Sequence, residues 1–314
     1  MQVKFHLPDF ASQFQFNLIF ATMLKNCPQY FREGVEIASI YGTFPQSLWN
    51  GGRTVPGMCD TKFAGIVIRT LNKHGIPLRF TFTNPMLEEK HLSDKFCNDI
   101  MKLADNGMNE VIVNSQLLED YIRKTYPNYK LTSSTCKRIT EPDKLLEEMK
   151  KDYSIVVLDY DFNNKFDILE TLPDKERMEI LVNACCDPEC SRRTEHYRIL
   201  GLQQIAMCEH IAKKTNKGFR VEDYGVPDLQ CKCADRGIFE IKNLRTHITP
   251  DDIWEKYVPM GFRQFKIEGR TTTRLNLMET YLYYMAKPEY RDEARCMLLY
   301  NLEKNGIVRI EGNN

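Results

Sequence analysis

Met178-Glu-Ile-Leu-Val-Asn-Ala-Cys-Cys-Asp-Pro-Glu-Cys190 reads as a short apolar strand, residues 178–183, that halts at a cysteine pair and a proline turn. The same strand-then-turn unit recurs on either side of it. Apolar runs of strand length fall at residues 14–20, 35–41, 77–83, 110–114, 129–134 and 153–158 upstream, and at 264–268 downstream. Helical patterns separate most of them, at residues 61–74, 91–106, 116–125, 141–151 and 165–172, and two more follow at 271–284 and 288–304. Eight strands alternating with helices predict the α/β class, as a (β/α)8 TIM-like barrel. The connection between strands 7 and 8, residues 185–263, is unusually long, and long connections in compact domains are mostly functional. The expected organisation is a single barrel domain over 1–314, a cysteine-bearing insertion at 185–263 and C-terminal helices at 271–314.

Composition narrows the function classes. The chain has 314 residues, 42% hydrophobic and 27% charged, as a globular protein with a sizeable core does. Lysine plus arginine equals aspartate plus glutamate, 43 of each, so no general attraction to nucleic acid or an anionic membrane is implied. No apolar run is long enough to cross a bilayer, and no membrane partner is expected. Eleven cysteines without a secretory signal point to a reducing compartment, and the expectation is a cytoplasmic protein.

The clustered cysteines carry the chemistry. Cys186 and Cys190 flank a Pro-containing turn among polar neighbours, and Cys231 and Cys233 follow in Leu-Gln-Cys-Lys-Cys. Two close-spaced thiol pairs suit an iron–sulfur cluster, with zinc as the rival occupant. Cys27, Cys97, Cys136 and Cys296 read as small core residues. Barrel active sites lie at the C-terminal ends of the strands. Those ends supply Tyr41, Asn84, Asn114, Ser134, Asp159, Asn183, Cys186, Glu268 and Arg270, with Asn114 and Ser134 read as helix caps. Arg53, after Gly51 and Gly52, is a candidate to hold an anionic substrate, as is Arg270. Glu268 is a candidate base or ion-pair partner. His196 is expected to orient a cysteine ligand or move a proton.

These residues resemble the collagenase-like peptidase family U32. The resemblance rests on Phe80-Thr-Phe-Thr-Asn84, Asn109-Glu-Val-Ile-Val-Asn114, Lys130-Leu-Thr-Ser-Ser134, Leu181 to Cys190 with His196, and Phe265-Lys-Ile-Glu-Gly-Arg270. It implies a barrel and, in several members, an oxygen-sensitive 4Fe-4S cluster held by four cysteines. Some members are known as peptidases. Others take part in oxygen-independent hydroxylation of RNA or of ubiquinone precursors, with prephenate as the suggested oxygen donor, and some work with a protein partner. Cys186 and Cys190 match the family's cysteine pair. Cys231 and Cys233 fit the later ligands by position, with Cys59 and Cys208 as substitutes. The functions implied are an iron–sulfur enzyme acting on RNA or a small aromatic or isoprenoid substrate, a peptidase, or a cluster-bearing subunit. Hydrolase motifs such as Gly-x-Ser-x-Gly and His-Glu-x-x-His are lacking.

Overall fold

Eight strands hydrogen-bond in sequence order into a closed parallel ring in the computed structural model, which describes residues 2–214, 217–228, 231, 233, 236–269 and 272–309. They are β1 (Val3–Pro8), β2 (Val35–Gly42), β3 (Leu78–Phe82), β4 (Glu110–Val113), β5 (Lys130–Ser133), β6 (Ile155–Val157), β7 (Met178–Leu181) and β8 (Gln264–Lys266). β1 pairs with both β2 and β8 and so closes the ring. Helices connect the strands on the outside, as a right-handed crossover requires, and the TIM-like barrel is confirmed.

The expected first strand is corrected. Residues 14–20 lie in a helix, Phe14–Asn26, and β1 is the earlier run Val3–Pro8. Phe14-Gln-Phe-Asn-Leu alternates like a strand, but Phe16, Phe20 and Met23 fall four and three residues apart and are buried together on one helical face. Residues 91–106 form two short helices, Glu89–Leu92 and Lys95–Leu103, each with its own cap. Between β7 and β8 stand the 20-residue helix Arg193–Ala212 and two short helices, Ile238–Ile241 and Pro250–Asp252. Of the four cysteines read as core, Cys97 is buried, Cys27 and Cys136 are half-buried, and Cys296 is exposed.

Inside the ring lies a layer of charge rather than the usual branched apolar side chains. Arg79 of β3 pairs with Glu179 of β7 and donates to Thr132 Oγ1 at 2.9 Å. Lys266 Nζ stands 3.4 Å from Glu179, and His6 shares hydrogen bonds with Ser39 and Gln264. Burial pushes the His6 imidazole down to about 3, against the pull of Glu179, so His6 is neutral here. The apolar core lies outside the ring, where Phe5, Phe80, Ile180 and Phe265 pack under the helices.

His247 is a second buried imidazole, packed on the rings of Tyr283 and Tyr284. Burial, aided by Lys242, lowers its pKa to about 4. The unfolded chain then binds a proton that the folded one refuses, so stability falls as the pH drops from about 6.5 towards 4. That loss is on the order of 3 kcal/mol for this residue. Urea unfolding at pH 7 and pH 4.5 should show it, and His247→Phe should reduce the difference by about its own share, leaving that of His6; an unchanged pH slope in the variant would refute the assignment.

Candidate functional site

Six of the eight strand ends project groups into one pocket at the C-terminal mouth. The pocket is walled by Arg53 after β2, Thr83 after β3, Cys136 after β5, Tyr160 after β6, Cys185 and Cys186 after β7, and Glu268 after β8. The helix Arg193–Ala212 adds Arg193, His196 and Tyr197, and the later loop adds Cys231 and Cys233. Lys266 belongs to the same lining, its ammonium 4.1 Å from the centre of the Tyr41 ring.

Gly51 sets the position of Arg53. An added Cβ there would stand 2.4 Å from the Thr83 carbonyl, so the loop crosses the end of β3 at a distance only glycine permits. The close approach is to the chain's own backbone. Arg53 Nη2 then donates to Glu268 Oε1 at 2.6 Å and to Cys185 Sγ at 3.3 Å. The Cys185 amide donates to Glu268 Oε2 at 2.9 Å. Asn183 clamps the same strand end, accepting from the Glu268 amide at 2.7 Å and donating to its carbonyl at 3.1 Å. Glu268 is thus an ion-pair partner with both oxygens engaged. Burial, with Glu268 adding to it, raises the Cys185 thiol well above its ordinary range.

The two cysteine loops are tied together by Asp187. It pairs with Arg236 at 2.7 Å and accepts from the Cys233 thiol at 3.4 Å, while Arg236 also donates to the Cys185 carbonyl at 2.9 Å. Cys186 lies close enough to Cys190 and Cys233 for each to act on its titration, and Cys233 in turn feels Cys231. Burial pushes the Cys186 thiol up to about 12; Tyr160 opposes the rise, and Cys190 and Cys233 add to it. Cys59 and Cys208 point elsewhere, donating to the carbonyls of Asp60 and Gln46.

Among the described residues, no three His, Cys, Asp or Glu side chains stand close enough together to ligate one ion. A single zinc draws four sulfurs to about 2.3 Å from one point. A cluster holds each thiolate on a different iron, so its cysteines stand further apart, and four neighbouring but unconverged thiols fit it better.

His196 lines the pocket, its pKa lowered by burial and then by Arg53 and Arg192. Its ring makes no hydrogen bond to a cysteine among the described residues. Ser134 caps the turn after β5 by accepting from the Cys136 amide at 3.1 Å. Asp159 is buried against Arg193, and Asn84 braces the loop after β3 by donating to the carbonyls of Leu48 and Gly201. Arg270 lies outside the described residues. Sequence reasoning missed Cys185, Arg193, Tyr160, Tyr197 and Lys266 as lining residues. The signal for Tyr160 was its place directly after a strand.

No protein-family model and no curated protein matches this sequence. Among solved structures the chain is similar to that of the U32 peptidase Mk0906, at 11% identity and a TM-score of 0.47, over 86% of this chain and 94% of that one. That likeness carries no inference about chemistry. No helix among the described residues is long and apolar enough to cross a membrane.

Proposed function

We propose that this chain is an iron–sulfur enzyme of the oxygen-independent hydroxylase type, acting on a small molecule or an RNA base held at the barrel mouth. The observation that carries the reading is that Cys186, Cys231 and Cys233 line one strand-end pocket, with Cys190 acting on Cys186 from the adjoining turn. Cys186, Cys190, Cys231 and Cys233 would hold a 4Fe-4S cluster, which when bound supplies one-electron chemistry beside the substrate. Arg53 and Glu268 form the rigid polar wall that orients the substrate, and Tyr197 and Ile112 supply apolar surface for it. A small carboxylate such as prephenate remains the oxygen donor that the sequence resemblance implies.

The hydrolase reading has less chemistry behind it. Cys185 is a thiol held protonated by burial with a carboxylate at its side, the reverse of an activated nucleophile.

Purification without oxygen, followed by iron and acid-labile sulfide assays, tests the proposal. About four of each per chain is expected. Cys186→Ala or Cys190→Ala should reduce the iron below about one per chain. A protein carrying one zinc, unaffected by those substitutions, would overturn the reading. Retention of iron in Cys231→Ala would move that ligand to Cys136 or Cys185, on the same wall.

A further inference from the structure

One side of the pocket holds buried donors that are not fully matched among the described residues. Arg193, whose side chain is 2% exposed, commits Nη2 to Asp159 and Asp161, leaving Nε and Nη1 buried without a partner. The Tyr160 hydroxyl is buried and faces the Cys186 thiol, with no other partner among the described residues. Both residues line the pocket, the guanidinium lies 4.1 Å from the centre of the Tyr160 ring, and Cys186 packs against Tyr160. The helix that begins at Arg193, three residues beyond Cys190, runs for 20 residues and lacks a side-chain cap, with Glu195 as the acidic residue of its first turn. Leaving a buried donor unmatched costs about 1–3 kcal/mol. Two unmatched guanidinium donors stacked on the ring whose hydroxyl faces Cys186 mark a place made for an acceptor.

We propose that Tyr160 and Arg193 donate hydrogen bonds to sulfur atoms on the Cys186–Cys190 side of a bound iron–sulfur cluster. The proposal rests on the function proposed above. Both are positioning residues; neither ligates iron. Donors to sulfur stabilise the more negative, reduced cluster and raise its reduction potential. The step they govern is simple in its balance: one electron from a reductant enters the cluster, no covalent bond breaks, and the hydrogen bonds strengthen.

The test is a mediated redox titration of the iron-loaded protein with dithionite, followed by electron paramagnetic resonance. Tyr160→Phe deletes one hydroxyl and keeps the ring beneath Arg193, so folding is preserved. Arg193→Lys keeps the charge near Asp159 and Asp161 and removes the other N–H groups. Each variant should keep its iron and show a potential lowered by roughly 59 mV, a tenfold weaker tendency to take up one electron. Parental potentials in both iron-loaded variants would overturn this proposal and leave the proposed function standing. Should Arg193→Lys fail to fold, Tyr160→Phe decides alone. A parent protein that takes up no iron would overturn both.

Discussion

Arg79→Met is expected to lower the free energy of unfolding by about 3–5 kcal/mol, a third or more of a typical domain's stability. Arg79 is 1% exposed, and it is the first charge that holds Glu179 in its ionised form at the centre of the ring. Remove it and a fully buried carboxylate is left with Lys266 and the buried His6 imidazole, each at 3.4 Å. Burial would then raise the Glu179 pKa above its unfolded value. The sign of the pH dependence follows: the variant's deficit is largest above neutral pH and shrinks as acid protonates Glu179. The double variant Arg79→Met/Glu179→Leu should recover most of the loss, because replacing both charges by apolar groups removes the uncompensated ion. Guanidinium unfolding at two pH values measures all of this. A single-variant cost below about 1 kcal/mol would mean that water reaches the layer and screens it.

Gly51→Ala is expected to cost about 3 kcal/mol and to open the pocket wall. The new Cβ would overlap the Thr83 carbonyl at 2.4 Å and the Asn84 amide at 2.6 Å, both of them backbone that cannot swing aside. The loop must lift, and Arg53 with it, away from Glu268 and Cys185. Cys185, which is 7% exposed, should then react with iodoacetamide roughly tenfold faster in the metal-free protein, with mass spectrometry locating the label. A parental melting temperature together with a parental alkylation rate would defeat the account.

The fold was legible because parallel barrel strands are covered on both faces and so stand out as apolar runs. Residues 35–41, 77–83 and 178–183 were found that way, at β2, β3 and β7. The same double coverage hid the interior. A lone Arg79 or Glu179 in an apolar run carries no mark of facing its counterpart across the ring, since that contact spans 100 residues. β1 escaped notice because His6 and Pro8 dilute it, while Phe14-Gln-Phe-Asn-Leu imitates strand alternation better. In the site, the cysteine spacing led to two loops that line one pocket but could not rank neighbours. Arg192 is exposed and Arg193 buried, and the two are indistinguishable in a polar run that reads as solvated surface.

The ring closes between its ends, with Lys4 in register with Gln264, and this fixes when the site can exist. During synthesis the thiols of Cys186 and Cys190 emerge well before Glu268, the residue that completes their wall across 215 residues from Arg53. Until β8 arrives, β1 and β7 remain open edges and the thiols stand on an unfinished arc. Pairing ends so far apart is slow, because the chain must lose its freedom before any contact rewards it. The pocket is therefore complete only once β8 has paired with both β1 and β7.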